Sequence, residues 1–249
     1  GVIAMGNSLD QVGPFAKTAA DAAIVCEAIS AYDPSDATSV PLELRKKYED
    51  ENGSEVKIIG VPWSEVEQKG IDPETLSNFK ASIEKLKAVG YTIKDISLPT
   101  MKYSLSVYYI LMPAEVSTNL SRLDGIRYGL SVSADNLFDV YAKSRAQGFG
   151  PETRRRIMLG TYVLSHGYYD AYYRKAILVR DAIKREFETM FKEVDVIATP
   201  TSPTPAFKIG EKAQDPLAMY LSDVFTVPAN IAGNPALSLP NGMHSNGLP

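Results

Sequence analysis

The amino-acid sequence predicts an α/β protein, and three observations support that prediction. Segments with helical periodicity alternate along the chain with short apolar segments that are typical of buried strands. One stretch, residues 57–98, has the pattern of a strand, a helix and a second strand. No internal repeat and no low-complexity tract interrupts this alternation.

The bulk composition is that of an ordinary globular protein. The 249 residues are 45% hydrophobic and 22% charged, and the formal net charge is −4. That charge balance argues against a broad nucleic-acid-binding face. The single cysteine excludes an intrachain disulfide and favours a reducing, cytoplasmic compartment. No apolar run approaches the roughly 20 residues needed to span a bilayer, so we expect no membrane contact.

The first predicted helix has a clear start. Thr18 and Asp21 resemble a capping box, and apolar residues then recur at helical spacing as far as Tyr32. An Asp-Pro pair follows and ends the helix. The polar residues 33–55 predict a surface excursion.

The strand–helix–strand unit is the clearest local signal. Residues 57–62 form a short apolar strand that ends at a proline. Asp72 predicts a helix N-cap before Pro73, and Gly90 stands where a helix commonly ends. Residues 91–99 alternate as a second strand. The unit predicts a parallel pair joined by a right-handed crossover.

The remaining elements follow in the same way. A loop, residues 199–205, comes directly after a buried strand, at the sheet end where ligands gather in open α/β folds. Helices are predicted at 103–121, 136–145, 151–192 with a break near Gly167, and 216–231, and strands at 195–198 and 236–239.

Three consecutive cations, Arg154, Arg155 and Arg156, occupy the first turns of a predicted helix, where the helix dipole disfavours positive charge. They form either a solvated basic face or an anion site, in which arginine and a helix N-terminus both favour a carboxylate or phosphate. Successive helical residues point about 100° apart, so at most one or two of them can face one pocket.

Asp223 is the second candidate, because it lies mid-helix among mostly apolar neighbours and needs a partner there. It has either a capping or ion-pair role, or a role in binding a cation. An α-amino acid would need an arginine for its carboxylate and an acid for its ammonium. A cluster of tyrosines that includes Tyr108 mostly predicts packing, although one or two could line a pocket.

Several motifs of established chemistry are absent from the sequence. It contains no P-loop, no dinucleotide-binding glycine pattern, no metal-spaced cluster of histidine and cysteine, and no nucleophile elbow. No metal site is therefore assigned.

Several segments together resemble the amidase-signature family. Residues 3–14, Ile-Ala-Met-Gly-Asn-Ser-Leu-Asp-Gln-Val-Gly-Pro, are similar to the stretch that follows the family's signature. The more specific matches are 115–129, 148–161, 167–173 and 200–207. The resemblance covers essentially the whole chain and is weakest at residues 40–56.

The resemblance implies a three-layer α/β/α fold with a central mixed sheet and helices on both faces. It further implies that residues 1–249 are a single partial domain, the C-terminal portion of the amidase-signature fold, truncated at both ends. In the family a lysine and two serines perform the chemistry, and they precede the matched segments. We therefore expect no catalytic residue in this chain and no activity of the chain alone.

The more specific motifs imply the glutaminase branch of the family. Such a protein hydrolyses glutamine and passes ammonia to other subunits of an amidotransferase complex. The partner subunit uses ATP and magnesium to convert Glu-tRNA(Gln) to Gln-tRNA(Gln), so tRNA would be met only through the complex. The glutaminase subunit itself carries no cofactor.

The resemblance also implies three glutamine-binding residues. Arg156 matches the arginine that binds the α-carboxylate, Asp223 the acid that binds the α-ammonium, and Tyr108 a pocket tyrosine. Arg154 and Arg155 would then be surface charges. Two alternatives stay open: a stand-alone amidase of the family acting on another amide, and a non-catalytic binding or scaffold fragment.

Overall fold

The computed structural model describes residues 2–52, 55–68, 70–212 and 216–249. The helices are α1 (Ala19–Ile29), α2 (Leu42–Asn52), α3 (Trp63–Val66), α4 (Pro73–Ala88), α5 (Ser104–Leu120), α6 (Leu137–Gly148), α7 (Pro151–Leu164), α8 (Arg174–Met190), α9 (Pro216–Leu221) and α10 (Val227–Ala232). The strands are β1 (Ile58–Val61), β2 (Thr92–Asp95) and β3 (Val196–Ile197). A 3₁₀ turn, Met101–Tyr103, precedes α5, and a π-helical turn, Tyr169–Tyr173, precedes α8.

The strands β2, β1 and β3 lie side by side in that order, and both pairs are parallel. The parallel pairing predicted for residues 57–98 is confirmed, with Ile59 opposite Ile93. The Asp195 carboxylate joins β3 to the start of β1, because it accepts from the backbone amides of Lys57 and Ile58 at 2.8 Å each. The α/β class is confirmed, but the mixed sheet is not seen in the described ranges, where all three strands run in one direction.

The central strand β1 is packed on both faces. Ile59 and Val61 point to one face and are almost fully buried. A Cβ added at Gly60 would be 2.9 Å from Ile96 on the other face. Burial of both faces is typical of a parallel sheet. The same hydrophobic core includes residues of four helices: Phe79 and Ile83, Leu111 and Val116, Ile183 and Phe187, and Ile231.

Helix α4 forms where its end signals predict it. The Asp72 side chain accepts from the amides of Glu74 and Thr75, and proline occupies the first turn. Gly90 has a φ of +107°, a left-handed conformation that glycine adopts without strain. The break predicted near Gly167 is also present, between α7 and the π-helical turn.

Residues 33–48 are mostly exposed, as predicted, but this surface stretch contains a helix that the sequence did not predict, and two other predictions from local sequence were wrong. Residues 42–52 form α2, because this polar stretch is rich in good helix formers. The helix predicted over 216–231 is two helices separated by a turn at residues 222–226, and Pro228, which cannot donate a backbone hydrogen bond, lies in the first turn of the second one. Residues 236–239 form no strand in the described part of the chain, and Leu237 and Leu239 are exposed.

Candidate functional site

The three residues predicted to bind glutamine lie on three different elements and converge. Tyr108 is in the second turn of α5, Arg156 is in the second turn of α7, and Asp223 follows α9. The side chains of Arg156 and Tyr108 are close enough to interact. Asp223 is close enough to Arg156 for the two charges to attract. The structure therefore places a cation and an acid, each identified separately in the sequence, at one location.

The close approach of α5 and α7 creates this location. Gly160, one turn after Arg156, leaves no room for a side chain against α5, because an added Cβ would be 2.9 Å from the Cβ of Ser117. Pro113 lies inside α5 and has no N–H to donate to the carbonyl of Tyr109. Gly160 of α7 thus packs directly against Pro113 of α5, and the two helices can approach closely there.

Arg156 is held in a fixed orientation. Its side chain is only 23% exposed. Its Nε donates to the Glu152 carboxylate at 2.7 Å, and its Nη1 lies 3.2 Å from the sulfur of Met112. Burial disfavours the charged form, but hydrogen bonds with Glu152 and Tyr108 outweigh it, so the pKa of Arg156 is raised. The guanidinium is therefore a permanent positive charge facing the site.

Glu152 is shared between two arginines. Arg155 donates to it through Nε and Nη2, both at 2.8 Å, in the two-bond fork that favours arginine as a carboxylate partner. Arg156 supplies a third bond. These bonds, those from Arg155 first, lower the pKa of Glu152 to about 2. Glu152 thus stays negative and prevents the neighbouring arginines from repelling each other.

Asp223 lies at the solvent side of the site. Its side chain is accessible, yet partial burial raises its pKa, and attraction to Arg156 and Lys212 offsets part of this rise. Lys212 is held nearby, since its ammonium bonds the hydroxyl of Ser222 at 2.7 Å and lies 4.3 Å from the ring centre of Phe207. A ligand ammonium would find a carboxylate here.

Three tyrosine rings cluster close to both charges. The rings of Tyr109 and Tyr220 pack with centres 4.0 Å apart, and the ring of Tyr108 meets Tyr109 edge to face at 5.1 Å. Burial, followed by the negative charge of Asp223, raises the pKa of Tyr109, so its hydroxyl remains protonated. The site therefore combines aromatic side chains with charges of both signs.

Sequence reasoning missed two features of this site. Glu152 stands four residues before Arg156, a spacing at which helical side chains meet, so its position carried a usable signal. Arg155 was expected to be a surface charge, but it bonds the hydroxyl of Tyr220 on α9. Nothing in the local sequence indicates a contact between residues 65 positions apart. Arg154 is exposed, as expected.

Comparison with known proteins places the chain in a family. The Amidase family model matches residues 1–249, and the chain belongs to that family. Its relatives include the A subunits of the glutamyl-tRNA(Gln) amidotransferases of Microcystis aeruginosa, 50% identical over the whole chain, and of Moorella thermoacetica, 52% identical. The chain spans about half the length of these relatives, 52% and 51%.

Solved structures agree with that assignment. The A subunit of Thermotoga maritima glutamyl-tRNA(Gln) amidotransferase is 37% identical, with a TM-score of 0.70 over 98% of this chain and 48% of its own. A second structure, an amidase at 22% identity, has a TM-score of 0.68 and shows the shared fold alone. Within the described ranges, no helix is long and apolar enough to cross a membrane.

Proposed function

We propose that this chain is the glutamine-binding portion of the glutaminase subunit of a glutamyl-tRNA(Gln) amidotransferase. The observation that supports it is the convergence of Arg156, Asp223 and Tyr108 at one place. Free glutamine carries a carboxylate and an ammonium on one carbon, and a site that binds both needs charges of both signs. Arg156 would bind the carboxylate, Asp223 the ammonium, and Tyr108 would line the pocket.

The same proposal extends to the chemistry of the whole protein. Hydrolysis of the side-chain amide requires an activated nucleophile, and we assign none within residues 1–249. The relatives are about twice as long as this chain, which leaves room for the serines and lysine elsewhere in the protein. The released ammonia would serve a partner subunit that uses ATP and magnesium to convert Glu-tRNA(Gln) to Gln-tRNA(Gln), in the cytoplasm.

Calorimetry on the full-length protein tests the site. We expect L-glutamine to bind at least tenfold more tightly than glutaramic acid, which lacks the α-ammonium, and than L-glutaminamide, which lacks the α-carboxylate, because each lost charge-assisted bond leaves a charged partner unpaired. Equal affinities for the three ligands would contradict the proposal.

The same protein separates the alternatives through ammonia release. Release from glutamine is expected. Release from other amides without preference for glutamine would indicate a stand-alone amidase, and glutamine binding without any release would indicate a binding or scaffold role.

A further inference from the structure

Arg155 connects two elements of the site that are far apart in the chain. Its guanidinium donates twice to Glu152 on its own helix, at 2.8 Å each, and also to the hydroxyl of Tyr220 on α9. The same guanidinium lies 5.7 Å from the centre of the Tyr220 ring. An Arg–Glu pair on one exposed helix face contributes little by itself. The contact with Tyr220 distinguishes Arg155 from such a pair.

Both ends of this connection reach a predicted ligand-binding residue. At one end Glu152, which holds Arg155, also accepts from Arg156 at 2.7 Å. At the other end the backbone carbonyl of Tyr220 accepts from the amide of Asp223 at 3.1 Å. Hydrogen bonds through Glu152 and Arg155, together with the covalent frame of Tyr220, therefore connect the guanidinium of Arg156 to the backbone of Asp223.

We propose that Arg155 and Tyr220 form a clasp that fixes the distance between Arg156 and Asp223, and thereby selects ligands that carry both an α-carboxylate and an α-ammonium. This inference rests on the proposed function. Arg155 and Tyr220 are positioning residues, because each acts through a neighbour. The ring of Tyr220 also packs on Tyr109, so its hydroxyl can be removed without removing the ring contact.

The clasp predicts an effect that depends on the ligand. A ligand with both charged groups must satisfy Arg156 and Asp223 together, so it is sensitive to their separation. A ligand with the carboxylate alone binds only Arg156, so its affinity does not depend on the distance between Arg156 and Asp223. Loss of the clasp should therefore weaken glutamine selectively, whereas general damage to the fold should weaken both ligands.

The test measures ammonia release by the full-length protein, assembled with its partner subunits, from L-glutamine and from glutaramic acid. Tyr220→Phe removes the hydroxyl, and Arg155→Lys keeps the charge but loses the fork. For both variants we expect KM for glutamine to rise about tenfold, with kcat changed less than twofold and KM for glutaramic acid changed less than twofold. An equal rise for the two substrates, or no rise, would overturn the clasp.

Tyr162→Phe is the matched control, because its ring packs on that of Tyr168, beyond the end of α7, with centres 4.2 Å apart, and not on the site. It should leave both KM values unchanged, and a tenfold rise for glutamine alone in this variant would overturn the assignment to Tyr220. If the unsubstituted protein does not distinguish glutamine from glutaramic acid, the proposed function fails and the clasp fails with it. If the unsubstituted protein distinguishes the two ligands, and Tyr220→Phe and Arg155→Lys distinguish them equally well, only the clasp fails.

Discussion

Gly160 on α7 lies directly against Pro113 on α5. A Cβ added at Gly160 would be 1.9 Å from the carbonyl oxygen of Pro113, well inside any possible contact distance. The obstacle is backbone and cannot rotate away. The separation of the two helices, and with it the distance from Arg156 to Tyr108 one turn earlier, therefore depends on the absence of a single methyl group.

Gly160→Ala should destabilise the protein. The two helices must move apart, and overpacking of this kind costs about 1–3 kcal/mol or more. Denaturant unfolding should show a lower midpoint. Gly13→Ala is the control, because no atom lies within 4 Å of its added Cβ. Equal stability of the two variants would contradict the packing described for Gly160.

Arg156→Ala should weaken glutamine binding. A charge-assisted hydrogen bond to the ligand carboxylate is lost, which costs about 1.5–3 kcal/mol. Calorimetry measures this directly. Arg154→Ala removes the same charge from an exposed position two residues earlier, so it controls for general electrostatics and should have little effect. Unchanged affinity in the Arg156 variant would exclude this role.

The elements that could be predicted are those whose signals are local. The ends of α4 follow from Asp72 and Gly90, which satisfy or terminate the helix within one turn of themselves. The strand predicted at 236–239 illustrates the opposite case. An alternating pattern predicts an extended backbone. A β-strand also needs a neighbouring strand to pair with, and the sequence of the segment does not show whether that neighbour is present.

The candidate site divides in the same way. Arg156 and Asp223 stood out because a cation in the first turns of a helix and an acid among mostly apolar neighbours are both energetically unusual. Their convergence on Tyr108 is a property of the tertiary structure, and the sequence supplied it only through resemblance to a family. The Arg155–Tyr220 contact could not be predicted, because the two residues are 65 positions apart and no local signal links them.

Glu152 should contribute to stability in a pH-dependent manner. Its pKa is lowered from the ordinary 4.5 to about 2. Ionised Glu152 therefore stabilises the folded state more than protonated Glu152 does. The contribution is fully present above pH 4.5 and is lost as the pH falls toward 2. It is modest, under about 1 kcal/mol, because the side chain is 55% exposed.

The free energy of unfolding of Glu152→Gln, measured as a function of pH, tests this contribution. The variant should be less stable than the unsubstituted protein at pH 6, and the difference should shrink as the pH falls below 4. Glu84→Gln, an exposed position on α4, is the control and should change stability little at either pH. A stability difference that is constant from pH 6 to pH 2 would show that Glu152 acts through something other than its charge.

Asp223 should give glutamine binding a second pH dependence, with a different origin. Partial burial raises its pKa above the ordinary 3.8, and Arg156 and Lys212 only partly counter this. A ligand ammonium is bound by the ionised carboxylate, so glutamine affinity should fall as the pH drops through this raised pKa. The fall should begin at a higher pH than an ordinary aspartate would produce, and above it affinity should be level.

Calorimetric titrations of glutamine between pH 7 and pH 4 measure the Asp223 effect. Asp223→Asn keeps the shape of the side chain and removes the titrating group, so its affinity should be lower at pH 7 and nearly independent of pH across the range. If Asp223→Asn retains the same acid-dependent loss of glutamine affinity, the ammonium is bound by another group.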